Sequence, residues 1–381
     1  MKWKLLLPAA LCALVLAACA GTPAAGTPAP TQTPPPTEAP APAQTPDPLG
    51  TADLDALLSG LDLSGADLTH CTDDGEVGSY PADAAICAAD YVEELRGYVW
   101  ENYEPSPAER EEDSGYRYQL SAPGLTLTSF QSSRALRAVT GGGEGWFILP
   151  YREDGQVDWM TYDAFDIWYQ EAEAATRYRG EGTPLTAEEL AWFRDYTASI
   201  QNYYDEAGEY QFTGSTPISC FFTSQYSDPR EMDAGEFLYY CPSQGNLGAE
   251  DEAEFQLVQA KLDWRSGEDD HLLSITELPV PCHRLPRTYV NEILTRYAGI
   301  TVEEMRTDWL EELLYIPETD CFYGFASDFG PGAFEVRYGE KSGDTVTLWE
   351  AVGAYGEAAD VLTLQKAGDG WHILSHQAAT P

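Results

Sequence analysis

From Ala20 to Gly50 the chain is almost entirely Pro, Thr, Ala and Gly, with ten of its 26 prolines and no large apolar side chain before Leu49. Proline fixes φ and removes a backbone donor, and nothing here has apolar surface to bury, so the segment builds neither helix nor core. Residues 19–50 therefore read as a tether. Extended as polyproline II at ~3.1 Å per residue it reaches roughly 90 Å, less where it coils. Folding is confined to residues 51–381, a length that suits two domains of about 100–200 residues each.

Ahead of the tether, residues 1–18 have the parts of an export signal peptide: Lys2 and Lys4, an apolar stretch from Leu5 to Ala18, and the small pair Ala17-Ala18. The apolar stretch, interrupted by Pro8, falls short of the ~20 residues that span a bilayer. Leu16-Ala17-Ala18-Cys19 resembles the lipobox of bacterial lipoproteins. That resemblance implies diacylglyceryl transfer to the Cys19 sulfur, cleavage before it, and acyl chains such as palmitate holding the mature N-terminus in the membrane. The expected address is the cell membrane, lipid-anchored, on the extracytoplasmic face. Cys12 leaves with the signal.

With 63 acidic against 21 basic residues, the formal charge is -42. Phosphate binding needs clustered Lys and Arg, so nucleic acid is not an expected partner. The acidic runs 108–113, 248–254 and 266–270 read as solvated loops or helix ends. The calcium-loop pattern D-x-[DN]-x-[DN]-G-x5-E does not occur.

Hydrophobic spacing predicts an α+β fold in two parts, 51–181 and 182–381, each with an antiparallel β-meander packed against helices. In the first, Leu54, Leu57, Leu58 and Leu61 mark a short helix, and a longer one is expected after Pro81 through Ile86, Leu95 and Val99. Strand-like runs follow at 116–120, 125–130, 135–139, 146–149 and 156–161, then a helix from Asp163 to Tyr178. In the second, Thr186 and Glu189 form a capping box, a β-like run covers 218–223, and helices are expected at 229–240 and 250–262. Pro286 opens a helix that Gly299 closes, and Thr301 with Glu304 makes a second capping box. Runs at 321–326, 333–338, 344–352, 359–366 and 370–376 predict a closing meander, with Gly368-Asp369-Gly370 at its last turn. Helices first and a sheet last suggest, by analogy, a cystatin-like or nuclear-transport-factor-like cone for this part.

LPRTYVNEILTRYAGIT (285–301) and YIPETDCFYGFASDFG (315–330) are similar to segments of uncharacterised lipobox-bearing lipoproteins of Gram-positive anaerobic bacteria. The resemblance spans mainly 185–377 and implies a cell-envelope location. It transfers no catalytic residue, because the group has no assigned activity.

Six cysteines remain beyond Cys19. An even number in an exported chain points to disulfides: Cys71 with Cys87 in the first part, and three alternative pairings among Cys220, Cys241, Cys282 and Cys321 in the second. No C-x2-C pair suggests zinc, no metal site is expected, and no motif calls for a cofactor. His372 and His376 share one face if WHILSH is a regular strand, yet lie roughly 13 Å apart at ~3.3 Å per residue, too far for one ion. They are weak ligand candidates. G-x-S-x-G, S-x-x-K, P-loop and G-x-G-x-x-G signatures do not occur. Trp146, Trp159, Trp168, Tyr169, Trp349 and Trp371 offer ring faces for a ligand, although core packing is the commoner use. The leading expectation is a non-enzymatic module that binds an envelope ligand or protein. A wall-glycan or peptide hydrolase using paired carboxylates is the first alternative, and a structural or sensory accessory without a small-molecule site the second.

Overall fold

The structure, a computed structural model, describes residues 47–106, 115–149, 160–204, 210–242, 245–262, 265–266, 271–306, 314–325, 332–352 and 359–379. Pro46–Pro381 form one compact unit. It is a mixed α/β fold with several antiparallel sheets and seven α-helices among the described residues.

The first half builds an eight-stranded sheet from β1 (Asp47–Pro48), β2 (Asp67–Thr72), β3 (Gly75–Pro81), β4 (Glu101–Asn102), β5 (Arg117–Ala122), β6 (Leu125–Phe130), β7 (Leu136–Thr140) and β8 (Gly143–Ile148). Its order is β1-β8-β7-β6-β5-β2-β3, with β4 also on β8. β1 runs parallel to β8 and is the end of the expected tether, so the last residues of that segment join the sheet. Close approach makes this possible: a Cβ on Gly143 would stand 2.7 Å from Leu49 Cδ2, and one on Gly145 2.7 Å from the Leu49 carbonyl. Two helices accompany the sheet, α1 (Thr51–Ser59), burying Leu54 and Leu58, and α2 (Ala88–Gly97), burying Tyr91, Val92 and Leu95. The helix expected directly after Pro81 starts later, because Ala82–Ala84 form a 3-10 turn, and it ends before Val99, which is 75% exposed.

Helix α3 (Met160–Tyr178) lies across β2, β3, β5 and β6 and reaches the second half of the chain. The strand expected over 156–161 begins outside the described residues and ends inside this helix. α3 is followed by α4 (Ala187–Thr197), whose capping box forms as expected: Thr186 Oγ1 accepts from Glu189 N at 3.2 Å, and Glu189 Oε2 from Thr186 N at 2.9 Å. Beyond it lie α5 (Ala234–Tyr240), α6 (Glu252–Leu262) and α7 (Arg287–Ala298). α7 ends where Gly299 turns left-handed at φ 66, with His372 packed against it. Residues 219–222 are a 3-10 turn rather than a strand, since Ser219, Cys220, Phe221 and Phe222 are all buried, where strand alternation would expose two.

A five-stranded sheet combines β9 (Thr183–Pro184), β17 (Tyr338–Ser342), β18 (Thr345–Trp349), β19 (Asp360–Ala367) and β20 (Gly370–Ala378) in the order β20-β19-β18-β17-β9. The expected closing meander is present, with Ala367 paired to Gly370 around a two-residue turn. Its expected first run is elsewhere: β16 (Cys321–Phe325) joins β14 (Cys282–Pro286) and β15 (Tyr315–Ile316) in a separate three-stranded sheet, and 333–337 lies outside every strand, with Arg337 N bonded to the Trp349 carbonyl at 2.8 Å. Hairpins β10 (Ile200–Tyr204) with β11 (Tyr210–Ser215), and β12 (Arg265–Ser266) with β13 (His271–Leu272), stand apart from these sheets, and single bridges join Tyr226 to His376 and Asn246 to His283.

The boundary expected at 181/182 falls inside continuous packing. Leu54, Phe165 and Trp168 belong to the same buried cluster as Leu190, Leu294, Leu362 and Ile373. Glu340 of β17 reinforces the junction by accepting N–H groups from Gly180 at 2.7 Å and Gly182 at 3.0 Å, just beyond α3. No helix among the described residues is long and apolar enough to cross a membrane.

Candidate functional site

Strands β18 and β19 run antiparallel, which sets Glu350, just past β18, against Asp360 at the start of β19; Glu350 N donates to the Asp360 carbonyl at 3.1 Å. β20 returns alongside and brings His376 opposite Leu362. A bulge decides which way that histidine faces. Thr363 pairs with Ser375 but Leu364 with Ile373, so Leu374 is an extra residue and is exposed. His376 and Ile373 thereby share the buried face, and His372 lies on the other. This corrects the expected single face for the two histidines: a one-residue insertion inverts every side chain beyond it.

His376 is 1% exposed and walled by Phe222, Tyr226 and Phe334. Its Nδ1 donates to the Ser224 carbonyl at 2.8 Å, which leaves Nε2 facing Asp360 Oδ2 at 3.4 Å, an ion-pair distance. Burial opposes charge on the ring, but Asp360 and the Ser224 carbonyl together outweigh it and raise the imidazole above its usual range. Asp360 Oδ1 accepts from Gln225 Nε2 at 2.8 Å. The Glu350 carboxyl is pushed up to about 7, chiefly by burial, against the lowering effect of its bond from Glu335 N at 2.6 Å. A carboxyl group that holds its proton toward neutrality is the kind of acid that acid–base chemistry uses.

The same shifts predict a pH-dependent stability. Glu350 keeps its proton in the folded state between its ordinary 4.5 and about 7, whereas the unfolded chain loses it, so this stabilisation is full below 4.5 and is lost as pH rises toward 7. His376, raised from 6.5, acts with the same sign above that pH. Thermal unfolding should therefore fall between pH 5 and 8, with the Glu350 contribution on the order of 2–3 kcal/mol. Glu350→Gln should flatten the profile; an unchanged slope would refute the assignment.

A second constellation lies at α1 and α2. Arg96 Nε donates to the Leu58 carbonyl at 2.9 Å and Nη2 to that of Ser59 at 3.1 Å, satisfying carbonyls at the end of α1 that have no partner within the helix. The chain then turns at Gly97 and presents Tyr98, Val99 and Trp100. Between them and α1 is a hollow of about 420 Å³, with Thr51, Asp55, Ser59 and Arg96 as its polar lining. A third cluster lies under α3. His70 stacks on Tyr118 at 4.6 Å, Tyr118 O–H donates to Asp166, and Tyr80 O–H donates to Glu173 at 2.7 Å. His70 Nε2 is buried without a hydrogen-bond partner, and burial lowers that imidazole.

The remaining sequence candidates are dispersed. Cys19 lies outside the described residues. Cys71, Cys87, Cys220, Cys241, Cys282 and Cys321 are free thiols, so none of the expected bridges is closed. Cys71 lies on β2 beside Arg117 and Glu76, whereas Cys87 starts α2 with its sulfur 3.9 Å from Arg194. Cys282 pairs with Phe325 and Cys321 with Pro286, four residues along the ladder, or roughly 13 Å, beyond the ~7 Å Cα limit for a disulfide. Trp146, Trp168 and Tyr169 are buried and Trp349 and Trp371 half-buried, so the tryptophans singled out by sequence are mainly core; Trp159 lies outside the described residues. No three His, Cys, Asp or Glu side chains converge as a metal-ligand set among the described residues. No family model, curated protein or solved structure matches the chain.

Proposed function

We propose that this chain is a lipid-anchored, extracytoplasmic lipoprotein acting as a non-enzymatic binding module at the cell envelope, with the hollow between α1 and the Tyr98–Trp100 turn as its ligand site. The hollow carries the reading. Its ~420 Å³ falls in the ~300–1,000 Å³ range of small-ligand sites, and it joins aromatic walls to hydroxyl, carboxylate and guanidinium groups. That combination suits a neutral or zwitterionic polar ligand, such as a wall sugar or short peptide. Leu16–Cys19 and the tether support the address. The finer reading of the second part's fold, a cystatin-like or nuclear-transport-factor-like cone within the one compact unit, is supported by α7 packing on β20 of the closing sheet.

The hydrolase alternative has one observation in its favour, Glu350 held near 7 beside Asp360. Those residues belong to different elements from the hollow, so acid–base pair and cavity share no side chain.

The test uses residues 20–381 titrated by calorimetry with muropeptides and chito-oligosaccharides. Ser59 is exposed, so Ser59→Trp fills the hollow without disturbing the core. Binding should weaken at least ~10-fold, ~1.4 kcal/mol, in that variant. Equal binding by both forms would remove the hollow from consideration. Turnover of a fragment that Glu350→Gln abolishes would favour the hydrolase, and co-purification with a membrane protein without fragment binding would favour the accessory role.

A further inference from the structure

Cys220 and Cys241 differ from the other cysteines in meeting each other. Cys220 sits in the 3-10 turn Ser219–Phe222, fully buried, and donates its S–H to the Pro217 carbonyl at 2.9 Å. Cys241 caps the C-terminus of α5, which packs on that turn, is 4% exposed, and lies close enough to the Cys220 thiol to raise it further. Phe221 and Phe237, one residue after Cys220 and four before Cys241, meet edge to face at 5.1 Å and hold the turn against the helix.

We infer that Cys220 and Cys241 form a disulfide in the mature protein, selecting one of the pairings the sequence leaves open. In the bridge the two sulfurs stand ~2.05 Å apart. The oxidant is an external disulfide, either that of an exported thiol–disulfide oxidoreductase or a small-molecule disulfide. One cysteine thiolate attacks it, giving a mixed disulfide and one departing thiolate; the second cysteine thiolate then displaces the other. Two S–H bonds are lost and one S–S bond forms, while the reagent gains two electrons and two protons and becomes two thiols. Exchange needs the thiolate, and burial holds the Cys220 thiol well above its usual range in the folded body, so the bridge closes before the turn is covered. Once closed, it fixes the segment that delivers the Ser224 carbonyl to His376 and Gln225 to Asp360.

For its oxidant in the cell this inference rests on the proposed export, so the experiment separates the two. Residues 20–381 are placed behind a foreign secretory leader, exported to an oxidising compartment, alkylated under denaturing conditions without reductant, and mapped by mass spectrometry. The expected result is one cross-linked peptide joining Cys220 to Cys241, with the other four of the six cysteines alkylated. The same chain from a reducing cytoplasm should show all six alkylated and unfold at a temperature lower by roughly 5 °C. Six free thiols in the exported protein, or either cysteine bridged to a different one, would overturn the inference. Because the leader is foreign, loss of native lipidation at Cys19 would count against the address and leave this result intact.

Discussion

Replacing Glu171 with alanine should destabilise the body by about 3–5 kcal/mol. The Glu171 side chain is fully buried in α3, where it accepts from the Arg194 guanidinium of α4, the Tyr91 hydroxyl of α2, and Cys87 N at 3.2 Å. One carboxylate thus joins three helices. Removing it strands a guanidinium that is only 29% exposed, along with two buried donors. Arg194 also donates Nε to the Val336 carbonyl at 3.0 Å, so the loss extends toward the closing sheet. Urea denaturation measures the effect, and the double variant Glu171→Met/Arg194→Met provides the control. With both charges gone the desolvation penalty disappears, so the double variant should be more stable than Glu171→Ala. If the double variant is the worse of the two, the ion pair contributes more than it costs and the argument fails.

Trp168→Ala should cost a similar ~3–5 kcal/mol for a different reason. Trp168 is the largest fully buried side chain, stacked on Tyr91 at 5.6 Å and close to Phe165 at 6.0 Å, and its Nε1 donates to the Ala82 carbonyl at 2.9 Å. Truncation leaves a void that its neighbours Tyr91 and Phe165 cannot fill, and removes the donor to the Ala82 carbonyl as well. Trp168→Phe keeps most of the ring and loses the donor, so it should cost roughly 1–2 kcal/mol. Tyr91 touches both Trp168 and Glu171, and the two losses should therefore not add; a double-mutant cycle should give a coupling of at least ~0.5 kcal/mol. Strict additivity would mean Tyr91 does not connect them.

Locally encoded features were legible before the fold. The capping box at Thr186 and Glu189, the stop at Gly299 and the turn at Gly368-Asp369 each depend on a few adjacent residues, and each occurs where the spacing places it. What escaped depends on distant partners. Residues 218–223 read as a strand, but 218–222 are all buried, packed by α5 and the aromatic residues around His376, a surrounding no window of sequence contains. Cys321 starts a strand whose partner, β14, lies more than thirty residues earlier, so nothing local separates its sheet from the closing meander. The β2–β3 hairpin went unread because its strands carry Asp67, Thr69, His70 and Glu76, polar residues that match no alternating pattern. The candidate site was half visible. His376 stood out by type, but the bulge at Leu374 that turns it inward has no signature in WHILSH. The hollow was hidden because Val99 continues the apparent periodicity of α2, whereas the helix has already ended at Gly97.

The seam of Leu49 against Gly143 and Gly145 has a mechanical meaning. Any pull along the chain from its N-terminal side enters the body through β1, where Asp47 N is bonded to the Gly142 carbonyl at 3.3 Å and Leu49 N to that of Glu144 at 2.9 Å. These bonds link the chain to the edge of a sheet, and β1 is parallel to β8, so the strands are loaded in shear and the bonds must yield together. The adjoining helix α1 forms a wall of the proposed ligand site. Tension from the N-terminal side would reach that wall only after the seam gives way, so the seam acts as a fuse between the preceding chain and the hollow.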